Sequence, residues 1–392
     1  MCVYADDHLR PWHESLRRVV PEFDLFDVHT HTGSNDPDGF SCSAEQLMAA
    51  LADADARAVV FTMHEPDGYP PANDRVLREA ADSGGRLVPF CRLDPRDRPA
   101  EEAERCLDAG ARGIKLHPRA ERFRLEEPET EPIFAIANER GVPVLVHAGR
   151  GIPALGRDAV DLAERYPNAS IILAHAGVCD LAWIWRAAAD HPNLFFDTAW
   201  WSAVDLLTLF SLVPPGQVLF GSDAPYGTPL HSSLLAMRCA LQAGVGPDQL
   251  RVTMGIQTAR LVAGEQALDL GPAPGSEAAA RDLLLERVHT YLTTALGRML
   301  VRQGGEEYLA LARLACEVGD DAPQAAVCRS VLALLDRFDR YRDELLPGGE
   351  PGRAPRFPGL HLILIAAVVA LTPDVILPAE PELEPVSAGE RL

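Results

Sequence analysis

The chain has 392 residues, 47% apolar and 24% charged, enough to bury a large core. Its formal charge of −21 works against DNA, RNA or an anionic membrane surface as a partner. The 32 prolines and 30 glycines are too scattered for a fibre or a disordered chain, and the eight cysteines form no CxxC pair and are too sparse for a disulfide scaffold.

The opening residues, MCVYADDHLR, lack a basic stretch followed by an apolar run, so a cytoplasmic location is expected, with residues 1–22 an N-terminal segment. Over residues 23–263, short apolar runs at 24–28, 58–62, 87–91, 113–116, 142–146, 171–174, 194–196 and 217–220 alternate with helical patterns such as 43–56, 100–110 and 156–167. Near-continuous apolar strands imply a parallel sheet covered by helices. Eight of them predict an α/β fold of the (β/α)8 TIM-barrel type, whose natural size is about 250 residues. A doubly wound open sheet is the competing arrangement, because periodicity does not report closure. Neither a GxGxxG nor a P-loop sequence is present. Residues 264–346 read as a helical extension, and 347–392 as a linker, an apolar segment and an acidic tail. The apolar segment, LHLILIAAVVAL at 360–371, falls short of the about 20 residues that span a bilayer and predicts a buried helix or strand.

Chemistry concentrates at strand ends. In FDVHTH (26–31), His29 and His31 leave the same face of an extended segment, and Asp27 points the other way. Taken alone, the pair fits a metal site about as well as two polar histidines at a strand end. Further strand ends carry His147 (VPVLVHAG), His175 (ASIILAHAG) and Asp223 (QVLFGSDAPYG). These five ring one point only if the sheet closes. Imidazoles with one carboxylate suit Zn²⁺, with Mn²⁺, Fe²⁺ and Co²⁺ as alternatives.

The ordered set DVHTH, GIKLHP, VLVHAG, ILAHAG and LFGSDAPYG resembles the amidohydrolase superfamily of metal-dependent TIM-barrel hydrolases. Within it, the set is similar to the branch that holds aminocarboxymuconate semialdehyde decarboxylase-like enzymes. The resemblance spans 23–263 and leaves the helical extension uncovered. It implies that His29, His31, His147, His175 and Asp223 are metal ligands. It further implies that Asp223 moves the proton of a bound water and that His175 polarises water or substrate. Relatives with two metals place a carboxylated lysine or a glutamate where Lys115 falls, whereas the decarboxylase-like branch carries one metal, and a single ion is expected here. His117 is a candidate acid–base or substrate-contacting residue, with a structural histidine before Pro118 as the alternative.

His64 and Glu65 follow the second strand and are candidates to enter the pocket. Arg92 and Arg150 are candidates to anchor an anionic substrate, against simple ion pairing. Asp197 is a candidate to orient another group, and Trp200 and Trp201 to roof the cavity. The leading expectation is a hydrolase that activates water against an amide, ester or lactone carbonyl of a small molecule. The alternative is a non-oxidative decarboxylase of a small unsaturated or aromatic acid, and the third reading a barrel that has lost its chemistry. A homodimer is a family-level expectation.

Overall fold

The computed structural model describes residues 6–20, 24–37, 39–149, 151–275, 281–345 and 359–379, so Arg150 lies outside the described residues. Among the described residues nine strand segments follow one another: β1 Leu25–Thr32, β2 Ala56–Thr62, β3 Leu87–Pro89, β4 Cys91–Arg92, β5 Ile114–Leu116, β6 Pro143–Val146, β7 Ser170–Leu173, β8 Leu194–Asp197 and β9 Val218–Leu219. All pairings are parallel, in the order β1-β2-β3 and β4-β5-β6-β7-β8-β9. β3 and β4 are halves of one barrel position, divided at Phe90. The Phe90 N–H bonds back to Val60 O (2.9 Å), and the Cys91 N–H bonds onward to Gly113 O (3.0 Å).

The ring closes between the first and last positions. Val28 N donates to Phe220 O (2.8 Å), Asp223 N to His29 O (2.9 Å) and His31 N to Ala224 O (2.8 Å). The result is the expected closed barrel of eight strand positions, and closure is what brings the strand ends together.

Phe26, Val28, Val59, Phe61, Phe90, Leu145, Ile172, Phe195 and Leu219 fill the lumen. A larger apolar layer lies between the strands and the outer helices, which include Ala44–Asp53, Pro70–Asp82, Pro99–Asp108, Glu131–Arg140 and Gly156–Arg165. Their starts follow local rules: Ser43 and Gln46 form a capping box, and proline opens Pro70–Asp82 and Pro99–Asp108, where the missing N–H costs nothing.

Beyond the barrel, helices Leu283–Leu300, Glu306–Ala315 and Ala325–Leu345 lie where the sequence pattern puts them. The segment Leu360–Leu371 is a helix that is apolar all round, and it is buried at nine of its twelve positions. Of the helix and strand expected for this buried segment, the helix is the one formed. It packs against Leu283–Leu300, Ala325–Leu345 and the barrel helix Pro229–Gln242, because a helix without a polar face has to be surrounded. The buried Arg238 guanidinium fixes its end, donating to Thr372 Oγ1 (2.9 Å), Thr372 O (2.8 Å) and Ile376 O (2.9 Å). The residues directly after 372 are therefore anchored, whereas 380–392 lie outside the described residues. The N-terminal segment contributes a helix, Asp6–Val19, which buries Leu9, Trp12 and Leu16. Among the described residues no helix is long and apolar enough to cross a membrane.

Candidate metal centre

The centre begins with an irregularity in β1. Phe26 and Val28 face the lumen, so strict alternation would turn His29 and His31 outward. The register of β1 against β2 shifts between Asp27 and Thr30, and after the shift both imidazoles pack on the lumenal Phe61. Asp27 stays in the wall, where it accepts from the N–H groups of His29 (3.0 Å) and Ser222 (2.9 Å) and holds the bulge against the last strand. Burial raises its carboxyl to about 7 against those hydrogen bonds.

Across the lumen, Asp223 adopts a positive φ of 57° and brings Oδ1 within 3.2 Å of His29 Nε2 and 3.0 Å of His31 Nε2. One ligand atom from each of His29, His31 and Asp223 lies within 4.8 Å of the others, a spacing that suits a shared cation. On the far side of His29, Asp197 Oδ2 lies 2.7 Å from Nδ1. A carboxylate only accepts, so Nδ1 carries the proton and Nε2 turns its lone pair toward Asp223. Burial alone would raise Asp223, yet His29 and His31 hold it well below the carboxylate range. Burial and Lys115 act to lower His29, but Asp197 and Asp223 prevail and raise it. His31 is pushed down to about 3, chiefly by burial.

The same reasoning fixes a second pair. His175 Nδ1 lies 2.7 Å from the Ala199 carbonyl, so this nitrogen bears the proton and Nε2 accepts from His147 Nδ1 at 2.9 Å. That leaves His147 Nε2 as a buried lone pair with no partner among the described residues, while both nitrogens of His175 are engaged. Burial lowers both residues; His175 and Lys115 lower His147 further, His29 and Lys115 lower His175, and Asp223 opposes the shift in each. His175 itself sits at φ 59°, a turn that drops its ring beside His29, with ring centroids 5.0 Å apart. Gly149 makes room for the pair, because a Cβ there would come 2.7 Å from His175 Cδ2.

Lys115 points into the same space from β5. It is fully buried, with Nζ 3.4 Å from His29 Nε2 and 4.7 Å from the Phe61 ring centre. Burial brings its ammonium down to about 7 against the pull of Asp223. His117, two residues on, stacks on His147 at 3.9 Å and 11° and accepts from Ala120 N at 3.3 Å.

The other candidates are more committed. Arg92 is buried, bonded to Glu121 Oε1 (2.8 Å) and Thr62 O (3.3 Å), so it is an internal brace, not an open anion anchor. Glu65 is tied to Arg75 (2.8 Å) and Thr62 (3.1 Å) and also bonds Asn35. His64 stands at the edge, with Nδ1 3.9 Å from Glu121 Oε1. Trp200 meets His175 edge-on and donates to Asp205 (2.7 Å), whereas Trp201 is 37% exposed. Two neighbours have no sequence signal of their own. Tyr226 packs edge-on against His31 and bonds Asp36 (2.5 Å), and Glu121 receives both Arg92 and Tyr69. Tyr226 lies three residues after Asp223, the one hint available in the chain.

With this geometry in place, the amidohydrolase family profile matches residues 26–252. A 6-methylsalicylic acid decarboxylase from Penicillium expansum is 30% identical over 210 residues, covering 43% of this chain. The chain thus spans 62% of that relative's own length. The crystal structure of a 5-carboxyvanillate decarboxylase from Sphingomonas paucimobilis superposes with a TM-score of 0.50 at 16% identity, over 62% of this chain and 99% of that one. A 4-oxalomesaconate hydratase from Rhodopseudomonas palustris gives 0.48 at 15% identity, over 61% and 96%.

Proposed function

Because the chain belongs to the amidohydrolase family, we propose that it is a metal-dependent enzyme that decarboxylates a small aromatic or unsaturated carboxylic acid without an oxidant. The observation that carries the reading is the His147–His175 pair, tied to the Ala199 carbonyl and set beside the His29, His31 and Asp223 cluster. The relative at 30% identity shifts the weight from hydrolysis, the leading expectation, to carbon–carbon cleavage.

His29, His31 and Asp223 would hold one divalent ion, and the unpartnered Nε2 makes His147 the fourth donor in preference to His175. The donor set suits Zn²⁺, with Mn²⁺, Fe²⁺ or Co²⁺ as alternatives. When bound, such an ion supplies a Lewis acid for a substrate oxygen. Asp197 keeps His29 in the tautomer that faces the cluster. His117 holds the plane of His147 by stacking. Lys115 places a cationic group next to His29, where it offsets the charge of an incoming carboxylate.

His175 is the proton-transfer residue. A proton taken from solvent at Nε2, in place of the hydrogen bond from His147 Nδ1, makes it an imidazolium whose Nδ1–H stays on Ala199 O. Nε2 then delivers that proton to the carbon bearing the carboxylate. The carbon–carbon bond breaks, its electron pair returns to the new C–H carbon framework, and CO₂ leaves. In the hydrolytic alternative Asp223 takes a proton from water and passes it to the leaving group.

The test is to incubate metal-loaded protein with 6-methylsalicylate and salicylate, and in parallel with amide, ester and lactone substrates. CO₂ with the matching phenol, lost in His29→Ala, is the expected result. Hydrolysis of the second set with no CO₂ from the first would overturn it.

A further inference from the structure

An enzyme of net charge −21 that takes a carboxylate substrate needs a local cation at its entrance. Of the two arginines the sequence offers as anchors, Arg150 lies outside the described residues and Arg92 is not available. Its side chain is 2% exposed, and withdrawing it would leave the buried Glu121 carboxylate without its counter-ion.

The turn that carries Glu121 presents another arginine. Pro118–Glu121 is one short helical turn directly after β5 and His117. It is pinned at both ends. The His117 ring accepts from Ala120 N, and Glu121 is held from below by Arg92 and Tyr69. Arg122, at φ 58°, ends the turn by donating its N–H to Pro118 O. Pro118 and Glu121 face inward, so Arg119 faces out. Among the described residues no carboxylate pairs with Arg119 and no acceptor takes a hydrogen bond from it.

Its direction is marked by Gly151, in the loop after β6. A Cβ at Gly151 would come 3.2 Å from Arg119 Cδ, 3.3 Å from Nε and 3.4 Å from Cζ, so the stem lies across that glycine. Gly151 has φ +86°, and two residues before it Gly149 abuts the rings of His175 and His147. The guanidinium therefore bridges the loops that follow β5 and β6, the strands that supply Lys115, His117 and His147.

We propose that Arg119 is the anion-capturing residue at the barrel mouth, where its guanidinium takes the carboxylate of the substrate on entry. The proposal rests on the carboxylate-substrate reading above and deepens it. Capture on entry precedes the breaking of the carbon–carbon bond, so its effect falls chiefly on KM.

Binding of salicylate and of its neutral counterpart salicylamide to the metal-loaded full chain, measured by calorimetry, tests it. Arg119→Gln weakens salicylate by about fivefold and leaves salicylamide unchanged, the size typical of one exposed charge contact. Arg119→Lys keeps part of the preference, added salt erodes it, and Arg122→Gln on the same turn leaves it intact. Equal binding of both probes by the unaltered protein, an Arg119→Gln protein whose preference for salicylate is undiminished, or the same loss in Arg122→Gln would each overturn it. CO₂ release is scored separately. An anion preference lost in Arg119→Gln with no CO₂ evolved supports capture and removes the decarboxylase reading. CO₂ evolved with KM unchanged in Arg119→Gln removes capture and keeps that reading.

Discussion

The mouth of the barrel and the C-terminal helical unit are built on opposite terms. The helical unit buries Leu285, Val288, Leu292, Val331, Leu334, Ile363 and Ile365 around a helix with no polar face. The mouth gathers buried Lys115, His29, His31, His175 and Asp197 around the partly exposed Asp223, with His175, Ala176 and Asp223 at positive φ. Groups packed in this way cost stability and are kept for what they can bind or transfer. One region contributes folding free energy, and the other spends part of it on chemistry.

The contrast can be broken most sharply at His29. His29→Ala removes the imidazole held by Asp197 and facing Asp223, and we expect metal content to fall from close to one ion per chain to background, read by elemental analysis, and activity to fall with it. Two ions per chain in the unaltered protein would instead give Lys115 a bridging role. Asp197→Asn keeps the donor but loosens the tautomer, and costs about 10–100-fold in metal affinity by competition with a chelator. In the helical unit, Ile365→Ala opens a cavity and loses about 2–5 kcal/mol in denaturant unfolding while metal content stays the same. A parallel loss of metal would show that the two regions are coupled.

Acid should act on the seam between them. His231, on Pro229–Gln242, and His361, on Leu360–Leu371, lie in ring contact at 4.3 Å. Burial lowers His361 to about 4 and His231 well below the usual imidazole value. Below an unfolded value of about 6.5, the unfolded chain binds the proton that the folded one refuses. Stability from this residue is thus complete above that pH and lost as pH falls toward 4, by at most about 3 kcal/mol for His361. His361→Leu flattens the fall between pH 6.5 and 4 relative to the unaltered protein. Leu283→Ser, at a site 77% exposed, changes stability by under about 0.5 kcal/mol.

Much of the site was legible because its donors are written locally. An apolar run followed by histidine or aspartate marks a strand end, and parallel strands put all such ends on one face. The bulge in β1 was not legible, since FDVHTH reads as plain alternation, and only the register against β2 turns His29 and His31 inward after Val28. Arg92 read as an anchor because its partner, Glu121, lies 29 residues away on a turn with no marked pattern. His147 and His175 both read as ligands, with His175 also a candidate to polarise water or substrate; what the sequence does not show is that both nitrogens of His175 are engaged and one of His147 is not.

The sequence by itself determined which elements form, their parallel order and the residue types at each strand end, because these depend on periodicity and short-range sterics. Closure decided the rest. His29 meets Asp197 across 168 residues and His31 meets Asp223 across 192, distances over which no local pattern carries information. Tautomers, the protonation of buried groups and the free or committed state of each arginine depend on which neighbours remain after water is excluded. That exclusion is a property of the packed barrel.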